Sequence, residues 1–267
     1  MNSQFVSRFS KKSLLAGACI LAALSVASCT TTSHDNMTTG SIPKLSKPAS
    51  EMSPSELSAA ASQIGQDYQR NPADKTAGLN YANLLRMNGK NDQALAVMQQ
   101  VVIHNPNDNE VLAAYGKAQA AAGLLEPALE TISRAERPDR PDWRLKSAQG
   151  AILDQLGRSE EARLKYREAM DLNPNDPSIL SNLGMSYVLT KDLKTAETYL
   201  RKAVALPGAD SSVRQNLALV VGLQGRYPEA EQIARQELSP DQADANVKYL
   251  RSMMSQQATW KALKDQG

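Results

Sequence analysis

The chain has 267 residues, 42% of them hydrophobic and 22% charged, which is ordinary globular material with ample apolar content for a core. Aromatics are scarce at 4%, and alanine is common, which suits closely packed helices and argues against a sandwich or barrel. The formal charge is +2; without Arg8, Lys11 and Lys12, in a segment expected to be removed, it becomes 2 − 3 = −1, and a near-neutral chain argues against a nucleic-acid partner.

The first 28 residues have a basic start (Arg8, Lys11, Lys12), an apolar run from Leu14 to Ala27, and small residues before a possible cut, the tripartite form of an export signal. An uncleaved anchor helix is the alternative, but it wants nearer to ~20 apolar residues. The run ends Val26-Ala27-Ser28-Cys29, which resembles the lipobox of bacterial lipoproteins. That resemblance implies that the Cys29 thiol is diacylglycerated, the signal (1–28) is cut before it, and the new amine is acylated. Several acyl chains would give stable membrane attachment, each buried CH₂ adding roughly 0.8 kcal/mol. Thr30 follows the cysteine, where an Asp would imply retention in the inner membrane, so the resemblance implies the periplasmic face of the outer membrane. Cys19 has too little apolar sequence before it to be the lipid acceptor, and a Cys19–Cys29 disulfide would be lost on cleavage.

With the lipidated cysteine, residues 29–52 form the next segment, rich in Thr, Ser and Pro without an apolar period; it reads as a flexible tether, with His34 solvated. Ser53-Pro54-Ser55-Glu56 combines an N-cap serine, a proline at N1 and a capping-box glutamate, so a capping helix or half repeat is expected over 53–74. It places Ala60 and Pro72 in the register of a degenerate leading repeat.

Beyond it the chain repeats itself without a gap, in five equal units at 75–108, 109–142, 143–176, 177–210 and 211–244. Position 20 is always alanine: Ala94, Ala128, Ala162, Ala196 and Ala230. Position 8 is always small: Ala82, Gly116, Gly150, Gly184 and Ala218. Position 15 carries Gly89, Gly123, Gly157 and Gly225, where a helix end favours positive φ, with Lys191 as the departure. Small residues at 8 and 20 let two helices approach closely, while larger ones at 7, 11 and 24 fill the space between hairpins. These columns resemble the tetratricopeptide-repeat (TPR) consensus, and Pro106 and Pro174 match its position 32. Elsewhere the prolines shift to Pro141, Pro207 and Pro240, so those hand-offs are expected to be irregular. The fold class expected is all-α, a TPR superhelix, that is a right-handed solenoid of helix-turn-helix repeats. Ser239-Pro240-Asp241-Gln242 is another capping box, and a C-terminal capping helix over 240–267 is expected to turn Ala243, Val247, Leu250 and Met254 inward.

Function in such a stack belongs on the concave face, lined by positions 2, 5, 6, 9, 12 and 13 of each first helix. Position 6 holds Asn80, Asn182 and Asn216, whose amides could hold a ligand's backbone or could simply be soluble residues on an exposed face. Met185 and Leu189, then Leu219 and Leu223, make the groove of units 4 and 5 unusually apolar. Either a partner's hydrophobic helix or strand lies there, or the C-terminal helix folds back over them. No zinc spacing, phosphate-cradling loop or nucleophile elbow occurs, and His104 falls near a helix C-terminus, so no catalysis, cofactor, metal or small-molecule substrate is expected.

The order of signal, lipobox, tether and TPR body, with the stretch from Ser211 to Arg226 and Ala245-Asn246-Val247-Lys248-Tyr249-Leu250-Arg251, resembles the TadD family of tight-adherence (Flp) pilus assembly lipoproteins. The resemblance implies a pilotin-like adaptor that binds the pilus secretion machinery, its secretin above all. A TPR lipoprotein of another envelope machine, or a periplasmic scaffold or spacer, are the other readings.

Overall fold

The computed structural model describes Ala49 and residues 52–264, with side chains to residue 256. The export signal, Cys29, Thr30, His34 and nearly all of the tether lie outside the described residues. Twelve α-helices and no strands make up the described part. The first, α1, is Pro54–Arg70, followed by the pairs α2 (Lys75–Met87) and α3 (Asn91–His104), α4 (Asn109–Ala121) and α5 (Leu125–Arg134), and α6 (Trp143–Gln155) and α7 (Ser159–Leu172). Next come α8 (Pro177–Leu189) and α9 (Leu193–Ala205), α10 (Ser211–Leu223) and α11 (Tyr227–Ala234), and α12 (Pro240–Lys264). Each helix packs chiefly on the next one in the chain, the signature of a TPR solenoid.

The helices start where they do for a local reason. Asp74, Asp108, Asp142, Asp176 and Asp210 recur at the same register, each at the N-cap of a first helix, and each carboxylate accepts a backbone N–H of the first turn. Position 15 ends the same helices in the left-handed region. The four glycines lie at φ 70 to 83°, and Lys191 adopts φ 65° in the same place. A lysine suffers steric strain there that glycine does not. The backbone turn is imposed by the flanking helices of the hairpin.

The 8/20 columns work as a close contact. All five position-20 alanines are buried, and a Cβ added at Gly116 would lie 2.4 Å from Ile132 Cγ1 and 3.2 Å from the Ala128 carbonyl oxygen. At Gly184 it would meet Leu200 Cγ at 2.9 Å and the Ala196 carbonyl oxygen at 3.1 Å. The second helices of units 2 and 5 are short, 10 and 8 residues against 13 or 14 for the others, and these are two of the units whose prolines are displaced.

Both ends carry a helix. The Ser53 capping box forms, Ser53 N–H donating to Glu56 Oε2 at 2.7 Å, and α1 buries Leu57, Ala61 and Ile64 against Leu84 of α2. Ala61 is buried and Ala60 only half-buried, so α1 sits slightly rotated from the repeat register. At the far end Gln242 N–H donates to Ser239 Oγ at 3.3 Å, and α12 seats Ala243 and Val247 on α10 and α11.

Candidate interaction groove

The first helices of units 3, 4 and 5 lie side by side as α6, α8 and α10, and polar side chains stitch them together. Asn182 Nδ2 donates to Ser147 Oγ at 3.1 Å, and Asn216 Nδ2 donates to Ser181 Oγ at 3.0 Å. Position 6 of one repeat thus binds position 5 of the repeat before it. The asparagine amide nitrogens are committed to the scaffold, while both Oδ1 atoms accept nothing from the described residues. Asn80, half-buried on α2, belongs to the first unit, away from this stitched row.

A third link crosses α6 and α8. Ser186 Oγ donates to Asp154 Oδ1 at 2.9 Å, and burial pushes the Asp154 carboxyl above its ordinary value despite that bond. Below it Arg163, 5% exposed, reaches from α7 to the Ser186 carbonyl oxygen at 3.2 Å and to Thr190 Oγ1, and pairs with Glu160 at 2.6 Å. Its guanidinium lies 4.1 Å from the centre of the Tyr187 ring, whose other neighbour is Tyr199, stacked at 5.6 Å. A buried arginine held by this many partners fixes the crossing of units 3 and 4. Within α9 Arg201 reaches Glu197 at 2.7 Å, and two pairs join units 4 and 5: Arg226, at the N-cap of α11, with Glu197 at 2.7 Å, and Arg201 with Glu229 at 2.6 Å. Burial raises the Glu197 carboxyl, but the hydrogen bonds from Arg226, Gln224 and Arg201 outweigh it and hold the group down to about 2.

On this frame the apolar candidates are placed unequally. Leu189 is 51% exposed at the end of α8, and Met185, one turn earlier, is half-buried against the core of the last two units. Leu219 and Leu223 are half-buried one repeat on. The C-terminal helix covers part of their surroundings: Leu250 Cδ2 lies 2.4 Å from where a Gly222 Cβ would be, and Arg251 stacks on Tyr227 at 4.7 Å. It leaves Leu189 open. The surface offered is therefore an apolar edge at Leu189 and Met185 beside the amide oxygens of Asn182 and Asn216, a combination suited to a segment that has both an apolar side chain and backbone N–H groups to satisfy. The sequence pattern identifies the four apolar positions and the asparagines, but not the serines, Asp154 or Arg163. The one signal for the serines is that Ser147 and Ser181 recur a single repeat apart, as Asn182 and Asn216 do. His104, exposed at the end of α3, has no metal-ligating neighbours, and among the described residues no group of His, Cys, Asp and Glu could hold a metal ion. No helix of the described residues is long and apolar enough to cross a membrane.

Tetratricopeptide-repeat models match residues 85–152, 177–210 and 213–236, and a TPR-repeat model matches 150–190. Anaphase-promoting complex subunit 3 of Schizosaccharomyces pombe is 24% identical over 202 residues, 74% of this chain and 30% of that protein. Human aspartyl/asparaginyl beta-hydroxylase is 28% identical over 175 residues, 60% of this chain and 23% of that protein. The chain thus spans under a third of the length of these curated relatives. Among solved structures, TTC0263, a thermophilic TPR protein in Thermus thermophilus, is similar at TM-score 0.56 and 23% identity, over 62% of this chain and 91% of that one. A tetratricopeptide repeat protein from Parabacteroides merdae is similar at TM-score 0.55 and 15% identity, over 77% and 81%. Likeness at this level shows the fold alone. The repeat columns, the stacked hairpins and the four matches agree: this chain belongs to the tetratricopeptide-repeat family.

Proposed function

We propose that the protein is a lipid-anchored periplasmic adaptor, held at the outer membrane through Cys29, that binds a component of a Tad/Flp-type pilus secretion system, its secretin in particular, and assists its assembly. The observation that carries the binding role is the open apolar edge at Leu189 and Met185, next to asparagine carbonyl oxygens with no partner among the described residues. A leucine and a half-buried methionine on one helical face with amide acceptors beside them can seat a partner strand or helix that brings an apolar side chain and backbone N–H groups. The location and the pilus system rest on the lipobox at Cys29, on Thr30, and on the resemblance of residues 211–251 to TadD proteins.

The test is crosslinking from envelope membranes followed by recovery of the tagged chain, comparing the native protein with Leu189→Asp. Leu189 is the suitable probe because its exposure lets the substitution leave the solenoid folded, whereas Asn182→Ala and Asn216→Ala would also remove bonds between repeats. The expected result is a secretin or pilus component recovered with the native protein and lost with Leu189→Asp. Recovery of the same partner by both proteins would move the site elsewhere, and self-crosslinks alone would mean a scaffold. The anchor is tested separately: Cys29→Ala is expected to leave an unprocessed precursor lacking acyl chains, and normal outer-membrane fractionation of that variant would refute it.

A further inference from the structure

In this solenoid position 11 of one repeat meets position 7 of the next. Leu153 and Leu183 share one buried cluster across units 3 and 4, and Tyr187 packs on the cluster containing Leu217 across units 4 and 5. Across units 1 and 2 the same positions are Leu85, buried, and Tyr115, packed on the local core. Across units 2 and 3 they are Gln119 and Gln149, 6% and 4% exposed. Gln149 Nε2 donates to Ser133 Oγ at 3.1 Å, but the carbonyl Oε1 atoms of both glutamines are buried with no hydrogen-bond partner among the described residues. The one apolar pair found at each other junction is replaced here by two desolvated acceptors.

Two further features fall at the same junction. Residues 135–142 link α5 to α6 with eight residues, including Pro138 and Pro141, where the corresponding links of the other units have four or five. Helix α6 also packs on α4 and α5 more sparsely than the equivalent helices pack at any other junction between repeats. In a linear array whose stability is the sum of repeats and nearest-neighbour interfaces, cooperativity breaks at the weakest interface.

We infer that the junction between the second and third repeats is a hinge, at which units 1 and 2 with α1 separate from units 3 to 5 as two cooperative bodies. The stitched helices α6, α8 and α10 and the groove they carry lie wholly in the second body, so the hinge changes the angle of the N-terminal body to the groove without dismantling it. This inference concerns the solenoid itself and holds whichever partner the groove takes.

The test is native-state hydrogen exchange of the full chain through a urea series, read by mass spectrometry for peptides within 75–134 and within 143–205. The expected result is that the two sets lose protection at different urea concentrations, with protection differing at least about tenfold between them in the window where one has opened. In Gln119→Leu/Gln149→Leu, which restores the side chains found at Leu153 and Leu183, the two sets should lose protection together. A single coincident loss in the native chain overturns the hinge, as does a two-step loss that persists unchanged in the folded double variant. Leu153→Gln/Leu183→Gln provides a reading that does not depend on that variant folding: it should create a new boundary between α6 and α8, and if the set 143–205 still opens as one unit, the glutamine pair is not the cause.

Discussion

Ala162→Leu tests the close approach of the two helices in a hairpin. Ala162 is 0% exposed and is packed among Leu153, Tyr166 and Leu183. The facing position is Gly150, where even one added carbon would lie 2.6 Å from the Tyr166 ring, and in units 2 and 4 the same approach brings a position-8 Cβ within 3.2 Å or less of the position-20 carbonyl oxygen. No space exists for three more carbons on the opposite side of that contact. Alanine and leucine differ little in helix propensity, so that term does not decide the sign. Leucine's extra apolar surface would gain transfer free energy only if the cavity existed, and forcing it in costs about 1 to 3 kcal/mol. At roughly 2 to 4 °C per kcal/mol for a domain of this size, a 2 kcal/mol loss lowers Tm by about 4 to 8 °C. The assay is thermal unfolding followed by circular dichroism, with Arg167→Leu as the control: Arg167 is exposed on the same helix, and the change there should stay within about 0.5 kcal/mol. An Ala162→Leu midpoint equal to or above that of the native chain would refute the packing argument.

Other substitutions probe the remaining devices. Lys191→Gly should relieve the positive-φ strain at the one non-glycine position 15; after the entropy cost of glycine it is expected to stabilise by about 0.5 to 1 kcal/mol in a urea titration. Asp176→Ala removes the N-cap of α8, where the carboxylate accepts the Ser178 N–H at 2.9 Å, and should lose about 1 kcal/mol by the same assay. Glu197 is held in its ionised form in the folded chain, so the stability it contributes is present above its unfolded pKa near 4.5 and is lost as pH falls toward about 2. Between pH 5 and 2, measured by thermal unfolding, Glu197→Gln should therefore show a flatter decline in Tm than the native chain, and parallel curves would refute the role of the Arg226 and Arg201 pairs.

The architecture is legible in the residues alone. Five alanines at position 20, small residues at position 8 and glycines at position 15 specify a hairpin in which two helices touch and then turn, because these are steric requirements met by a single residue in place. The N-cap aspartates Asp74, Asp108, Asp142, Asp176 and Asp210 obey the same period and are legible in the same way, although the apolar columns do not point to them. The irregular hand-offs can be read in part: α5 and α11 are short ahead of Pro141 and Pro240, whereas α9 keeps 13 residues ahead of Pro207. Which polar side chains serve the scaffold and which face outward emerges only when the helices are assembled. Asn182 and Asn216 look like groove residues along their own helix, and only the serine of the neighbouring helix shows where their amide nitrogens go. Leu189 and Leu223 hold the same position of successive repeats, yet one is exposed and the other half-buried, where α12 brings Leu250 against the neighbouring Gly222. A repeat period dictates contacts between neighbours in sequence; hydrogen bonding and exposure from one repeat to the next depend on where two helices meet in space, and no single helix encodes that.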